Sequence, residues 1–186
     1  STSGGSYEAL TTTSTASATV TDDADATTVT ISTTTATVTE GGSIIYTATV
    51  SNAVTSSPLV VTLSNGQTIT IPVGQSSASS APFAVRADDA YAQGTQTLAV
   101  TITGTSGGNY EAVTPTGAAT TTVTDDADAT TVTITASTAS VTEGGSITYT
   151  ASVTNAVTGS PLVITLTNGQ TITIPVGQSS ASSAAY

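Results

Sequence analysis

The chain has 186 residues, with twelve acidic side chains against a single arginine, a net charge of −11, and no Cys, His, Met, Trp or Lys. This balance excludes nucleic acid, whose phosphates nothing here would neutralise, and attraction to anionic membrane surfaces. The lack of cysteine excludes a disulfide scaffold, and no apolar run approaches membrane-spanning length, so membrane insertion is not expected. No signal peptide opens the chain, and both ends read as cuts through a longer polymer.

Taken in chain order, residues 1–83 align without gaps to residues 104–186, and 63 of those 83 positions are identical. A 103-residue internal repeat follows, with three expected units: residues 1–21 as the C-terminal strand region of one repeat, 22–124 as a complete repeat, and 125–186 as the N-terminal part of the next. Residues 125–186 have no counterpart here of residues 84–103 or of the strand at Ala119–Val123, so their inner faces should be left uncovered. Either the chain is a window on a longer protein, which is the preferred reading, or the end fragments complement each other between molecules.

Within the complete repeat, apolar and polar residues alternate with period two. An opening strand is predicted through Val29, Ile31, Ala36 and Val38, followed by a turn at Glu40-Gly41-Gly42. Ile44, Tyr46, Ala48 and Val50 then share one strand face, and Leu59, Val61 and Leu63 form the next strand. Asn65-Gly66 is a strong hairpin signal, with Ile69, Ile71 and Val73 returning. Further strands are predicted around Phe83 and Val85, around Leu98, Val100 and Ile102, and around Ala119, Thr121 and Val123. Threonine, 46 residues in all, favours this β-rich reading. The predicted class is all-β: tandem immunoglobulin-like β-sandwich repeats of 103 residues with about seven strands each. Tyr46, Phe83 and Tyr110 read as core or loop-packing aromatics.

The acids are not scattered. Asp22, Asp23 and Asp25 fall on Asp125, Asp126 and Asp128 after the 103-residue shift, Glu40 on Glu143, and Glu8 on Glu111; Asp88 and Asp89 complete the set. Up-and-down strands deliver Glu40, Asp88, Asp89 and the Asp125–Asp128 segment to one pole, and Glu111 to the other, beside Asp22–Asp25. Neighbouring carboxylates 4 Å apart repel by roughly 4 kcal/mol at an effective dielectric of about 20. Arg86 pairs at best with Asp88 or Asp89, so divalent cations are expected to neutralise the rest. All ligands available are oxygens, which selects calcium, and glycines beside Glu40 and Glu111 let loop carbonyls turn inward. All twelve acids are therefore candidate metal ligands, placed where consecutive repeats meet, and the expected partners are neighbouring repeats of the same chain.

Asp-Asp-Ala-Tyr (88–91), Gly-Gly-Asn-Tyr-Glu (107–111), Thr-Glu-Gly-Gly-Ser (39–43) and Leu-Ser-Asn-Gly-Gln-Thr (63–68) resemble extender repeats of giant bacterial adhesins. These are the biofilm-type and ice-binding-type RTX adhesins exported by type I secretion. The resemblance implies calcium-rigidified immunoglobulin-like domains, secreted to the surface of a Gram-negative cell, that hold a ligand-binding tip outward for attachment or biofilm formation. The alternative is a module that itself binds glycan, ice or a host protein, though no aromatic cluster or inserted loop unique to one repeat marks such a site. An enzyme acting on a small-molecule substrate is not expected, because without His, Cys or Lys no activated nucleophile of the usual kind can be assembled.

Overall fold

The computed structural model describes residues 4–11, 14–22 and 26–186, and these are all-β. The strands are β1 (Ala26–Thr33), β2 (Thr37–Thr39), β3 (Ser43–Ile44), β4 (Tyr46–Val50), β5 (Leu59–Leu63), β6 (Thr68–Ile71), β7 (Ser77–Ser79) and β8 (Phe83–Ala84). They continue with β9 (Gln96–Gly107), β10 (Ala112–Thr116), β11 (Ala118–Thr124), β12 (Val132–Ala136), β13 (Tyr149–Val153), β14 (Leu162–Thr165), β15 (Thr171–Ile174) and β16 (Ser180–Ser182).

Residues 26–124 form a four-stranded sheet, β10-β1-β4-β7, and a five-stranded sheet, β2-β11-β9-β5-β6, with β3 and β8 paired as a short ribbon. Both sheets contribute to one buried cluster. Val29 and Ile31 of β1 and Tyr46, Ala48 and Val50 of β4 meet Leu59, Val61 and Leu63 of β5, Ile69 and Ile71 of β6, and Val100 and Ala119. Every second residue points inward along β1, β4, β5 and β6, as period-two patterning requires. The Asn65-Gly66 turn joins β5 to β6: Gly66 takes a φ of 85° and Asn65 Oδ1 accepts the Gln67 amide at 3.1 Å. Tyr46 lies in the core with its ring 6.3 Å from that of Phe83, and the Tyr110 hydroxyl donates to the Asn52 carbonyl at 2.6 Å.

Shorter departures aside (Ile45 separates β3 from β4, β6 ends at Ile71 and leaves Val73 exposed, and β7 is additional to the predicted strands), two features differ from the sequence-based expectation. The opening strand does not run unbroken from Val29 to Val38. β1 pairs antiparallel with β4, whereas β2 crosses to the other sheet and runs parallel to β11, with Val38 opposite Val123. The crossing is held by the buried Thr121, whose hydroxyl donates to the Thr35 carbonyl at 2.6 Å. The second difference is β10, which adds a parallel edge to β1 in the register Ala26–Ala112 to Thr30–Thr116. Pro115 hides this strand from pattern reading, yet an edge position tolerates a residue without an N–H.

Residues 132–182 repeat the same pairing where their chain allows it. A 103-residue shift carries β4, β6 and β7 onto β13, β15 and β16, and β12-β13-β16 and β14-β15 pair as β1-β4-β7 and β5-β6 do. Burial does not repeat. Val29 and Ile31 are 0% and 5% exposed, while Val132 and Ile134, one shift later, are 45% and 41% exposed. The difference lies in β9 and β11, whose sheet packs over the first pair; among the described residues neither has a counterpart over the second. Two open hollows, of about 380 and 330 Å³, line these bare inner faces, one against Val132, Val157 and Leu162, the other against Ile134, Tyr149 and Ile164. Their counterparts Val29, Val54, Leu59, Ile31, Tyr46 and Val61 are all core residues, so the hollows are uncovered core and not ligand pockets.

Candidate metal centre

Three chain segments converge at the end of the two-sheet body where β2 and β11 finish. Because β2 runs parallel to β11 with Thr39 opposite Thr124, Glu40 and Asp125 leave the sheet side by side. The Glu40 amide donates to the Thr124 carbonyl at 3.0 Å. The loop before β9 folds over the same end, and the Gly41 amide donates to the Arg86 carbonyl at 2.8 Å. Gly41 has a φ of 73°, and a Cβ added there would stand 2.9 Å from the Cβ of Asp88. Only glycine lets the two segments approach this closely.

Among the described residues this packing brings three acids together: Glu40, Asp88 and Asp126 place one carboxylate oxygen each within 4.8 Å of one another. Two oxygens on one calcium at roughly 2.3–2.6 Å are separated by at most about 5 Å, so the spacing suits a single shared ion. Asp88 and Asp126 are exposed, whereas Glu40 is only 5% exposed. One of its oxygens accepts the Arg86 Nε–H at 2.7 Å; the other, Oε1, is buried with no hydrogen-bond partner. A buried carboxylate oxygen left unpaired is costly, and a cation is the natural complement.

Arg86 does not pair with Asp88 or Asp89, as the sequence suggested. Its guanidinium turns inward, taking Glu40, the Gly94 carbonyl at 2.7 Å, and Asp125 Oδ1 at 3.6 Å. The reason is desolvation: buried Glu40 needs a charged partner, while exposed Asp88 keeps water. Asp89 builds the loop, its Oδ1 accepting the Tyr91 amide at 2.8 Å and its Oδ2 the Gln93 side-chain amide. The Gln93 and Gly94 amides donate to Asp125 Oδ2 at 2.9 and 3.4 Å.

Electrostatics separate two aspartates on the same segment. The Gln93 amide, then that of Gly94, with Arg86 helping and partial desolvation opposing, hold the Asp125 carboxyl below its usual range. Asp128 is pushed up, first by the charge of Asp88, then by desolvation and by Asp126, Asp89 and Asp125. One carboxylate has amides on its Oδ2, with its buried Oδ1 only near Arg86; the other is crowded by anions.

The remaining candidates lie elsewhere. Glu111 immediately precedes β10 at the opposite pole, beside the start of β1 through the Ala26–Ala112 pair. Glu8 and Asp22 are exposed, as is Glu143 in its Gly-Gly turn; Asp23 and Asp25 lie outside the described residues. Sequence reading missed the amides of Gln93 and Gly94 and the inward turn of Arg86, since neither backbone donors nor a rotamer leaves a compositional trace.

The LapA domain model matches residues 25–126 and 128–186. The chain belongs to the LapA domain family. The two matched stretches of this LapA-family chain adjoin inside the Asp125–Asp128 segment that carries the acidic cluster. Membership ties the chain to large adhesins, to biofilm formation and to the cell surface. No curated protein matches it. Among the described residues, no helix is long and apolar enough to cross a membrane, which says nothing of a β-barrel.

Proposed function

We propose that this LapA-family chain is a calcium-rigidified spacer of a bacterial surface adhesin. Each repeat is an immunoglobulin-like sandwich, and the acidic segment between repeats grips calcium so that a flexible string becomes a stiff rod bearing a binding tip. The sandwich reading is supported by two sheets sharing one core, with the opening strand passing from one to the other. The calcium reading is carried by the unpartnered Glu40 Oε1 beside Asp88 and Asp126. Oxygen-only ligands suit a hard cation. Glu40, Asp88 and Asp126 would hold the ion, with water and loop carbonyls completing its coordination, and the chain would do no catalysis of its own.

The ion would act by mass action on the folded state. At a hundred times its dissociation constant a ligand stabilises by about 2.7 kcal/mol, which for a domain of this size raises Tm by roughly 10–20 °C. Calorimetry and small-angle scattering, with calcium and with chelator, test the reading. Chelation is expected to lower Tm on that scale and to shrink the radius of gyration; identical Tm and radius in the two conditions rule the reading out.

A further inference from the structure

The loop between β8 and β9 is unusually braced for a connection without regular structure. Arg86 ties its start to the Gly94 carbonyl, Asp89 holds the Tyr91 amide and the Gln93 side chain, and the Gln93 and Gly94 amides close onto Asp125. From this base one side chain reaches across the seam. The Tyr91 hydroxyl donates to the Ala156 carbonyl at 2.8 Å, a bond spanning 65 residues into the following strand group, and Tyr91 lines one hollow together with Asn155, Val157 and Pro161. The acceptor loop is the 103-residue counterpart of the one around Asn52 and Ala53, where Tyr110 of the same repeat takes the Asn52 carbonyl. Ala156 corresponds to Ala53, one residue further on. The two tyrosines thus address carbonyls at neighbouring repeat positions of one loop.

We infer that the Asp88–Gly94 loop is a docking strap for the next repeat and that Tyr91 is its anchor, narrowing the range of angles between repeats through a contact that uses no ion. This rests on the reading of the chain as a spacer but not on calcium. The recognition chemistry is a half-buried phenol meeting a backbone carbonyl on a loop of small and polar residues, a pairing with one directional bond. The partner surface is the loop Thr154–Pro161 of the succeeding copy.

Spin labels report the angle directly. The chain has no cysteine, so Thr70→Cys and Thr173→Cys, at exposed positions on β6 and β15, label one site in each strand group. Distance distributions are measured for the full chain, for Tyr91→Phe and for Tyr91→Ala, each in calcium and in chelator. Thermal melts check that the variants fold, and Tyr91→Phe, which removes only the hydroxyl, carries the test if Tyr91→Ala does not. In calcium the parent is expected to give a single narrow distance peak that both variants broaden; in chelator all three broaden, the variants most. Coincidence of the three distributions in both conditions overturns the strap. Failure of the calcium reading looks different: the parent then gives the same distribution and Tm with and without the ion, and the comparison of variants still stands.

Discussion

Glu40 is the residue on which the site turns. Its backbone is fixed by Thr124, one oxygen is bound by Arg86, and the second is buried without a donor. Arg86 supplies one positive charge against Glu40, Asp125 and the nearby Asp88, Asp126 and Asp128, so its presence lessens the repulsion without removing it. The raised proton affinity of Asp128, driven first by Asp88, records the excess that remains. Glu40→Gln tests this directly, because the amide keeps the shape and can still accept from Arg86. In calcium the variant is expected to lose most of the ion-dependent rise in Tm, while in chelator it should melt at or slightly above the parent, having one fewer crowded charge. A parent-like calcium response in calorimetry contradicts the assignment.

At the level of strands, what could be read from the sequence was what is local. The alternation of Ile44, Tyr46, Ala48 and Val50, and the Asn65-Gly66 turn, specify their strands through neighbours a few residues away. The hairpin forms as expected, and the first stretch is extended but broken at Ile45 into β3 and β4. β10 was not legible because Pro115 reads as a breaker until its edge position is known. The break between β1 and β2 was hidden for a related reason: Val29, Ile31 and Val38 all read as inward, and only the pairing with β11 shows that two sheets are involved. The acidic pole was legible as a convergence of loops. Which acid meets which could not be read, since Glu40 meets Asp126 through the parallel pairing of β2 with β11, a long-range contact. The two copies offer an internal control on packing. Ile31→Ala, in the closed core, is expected to cost about 2–5 kcal/mol. Ile134→Ala, the same residue one shift later on an uncovered face, should cost about 0.5 kcal/mol or less. Denaturant melts of the full chain check the pair, and equal losses would mean that the second strand group is covered in solution.

Across the whole molecule, charge placement bears on mechanics. The segment Asp125–Asp128 is as acidic as any stretch of the chain, and it is both the place where the two family matches adjoin and the route from one strand group to the next. Charge repulsion there favours an open, wandering connection. On the proposed reading, a cation held by Glu40, Asp88 and Asp126 would reverse this by fastening the connection to the pole it leaves, while Tyr91 reaches forward to the following strand group. Full stiffness would then belong to the calcium-bound state. The measurement that bears most directly on this is a crystal structure grown in calcium, with the ion located by anomalous scattering. The account predicts a peak at roughly 2.3–2.6 Å from oxygens of Glu40, Asp88 and Asp126. A map without a peak there, and with Asp88 and Asp126 turned apart into water, would contradict it.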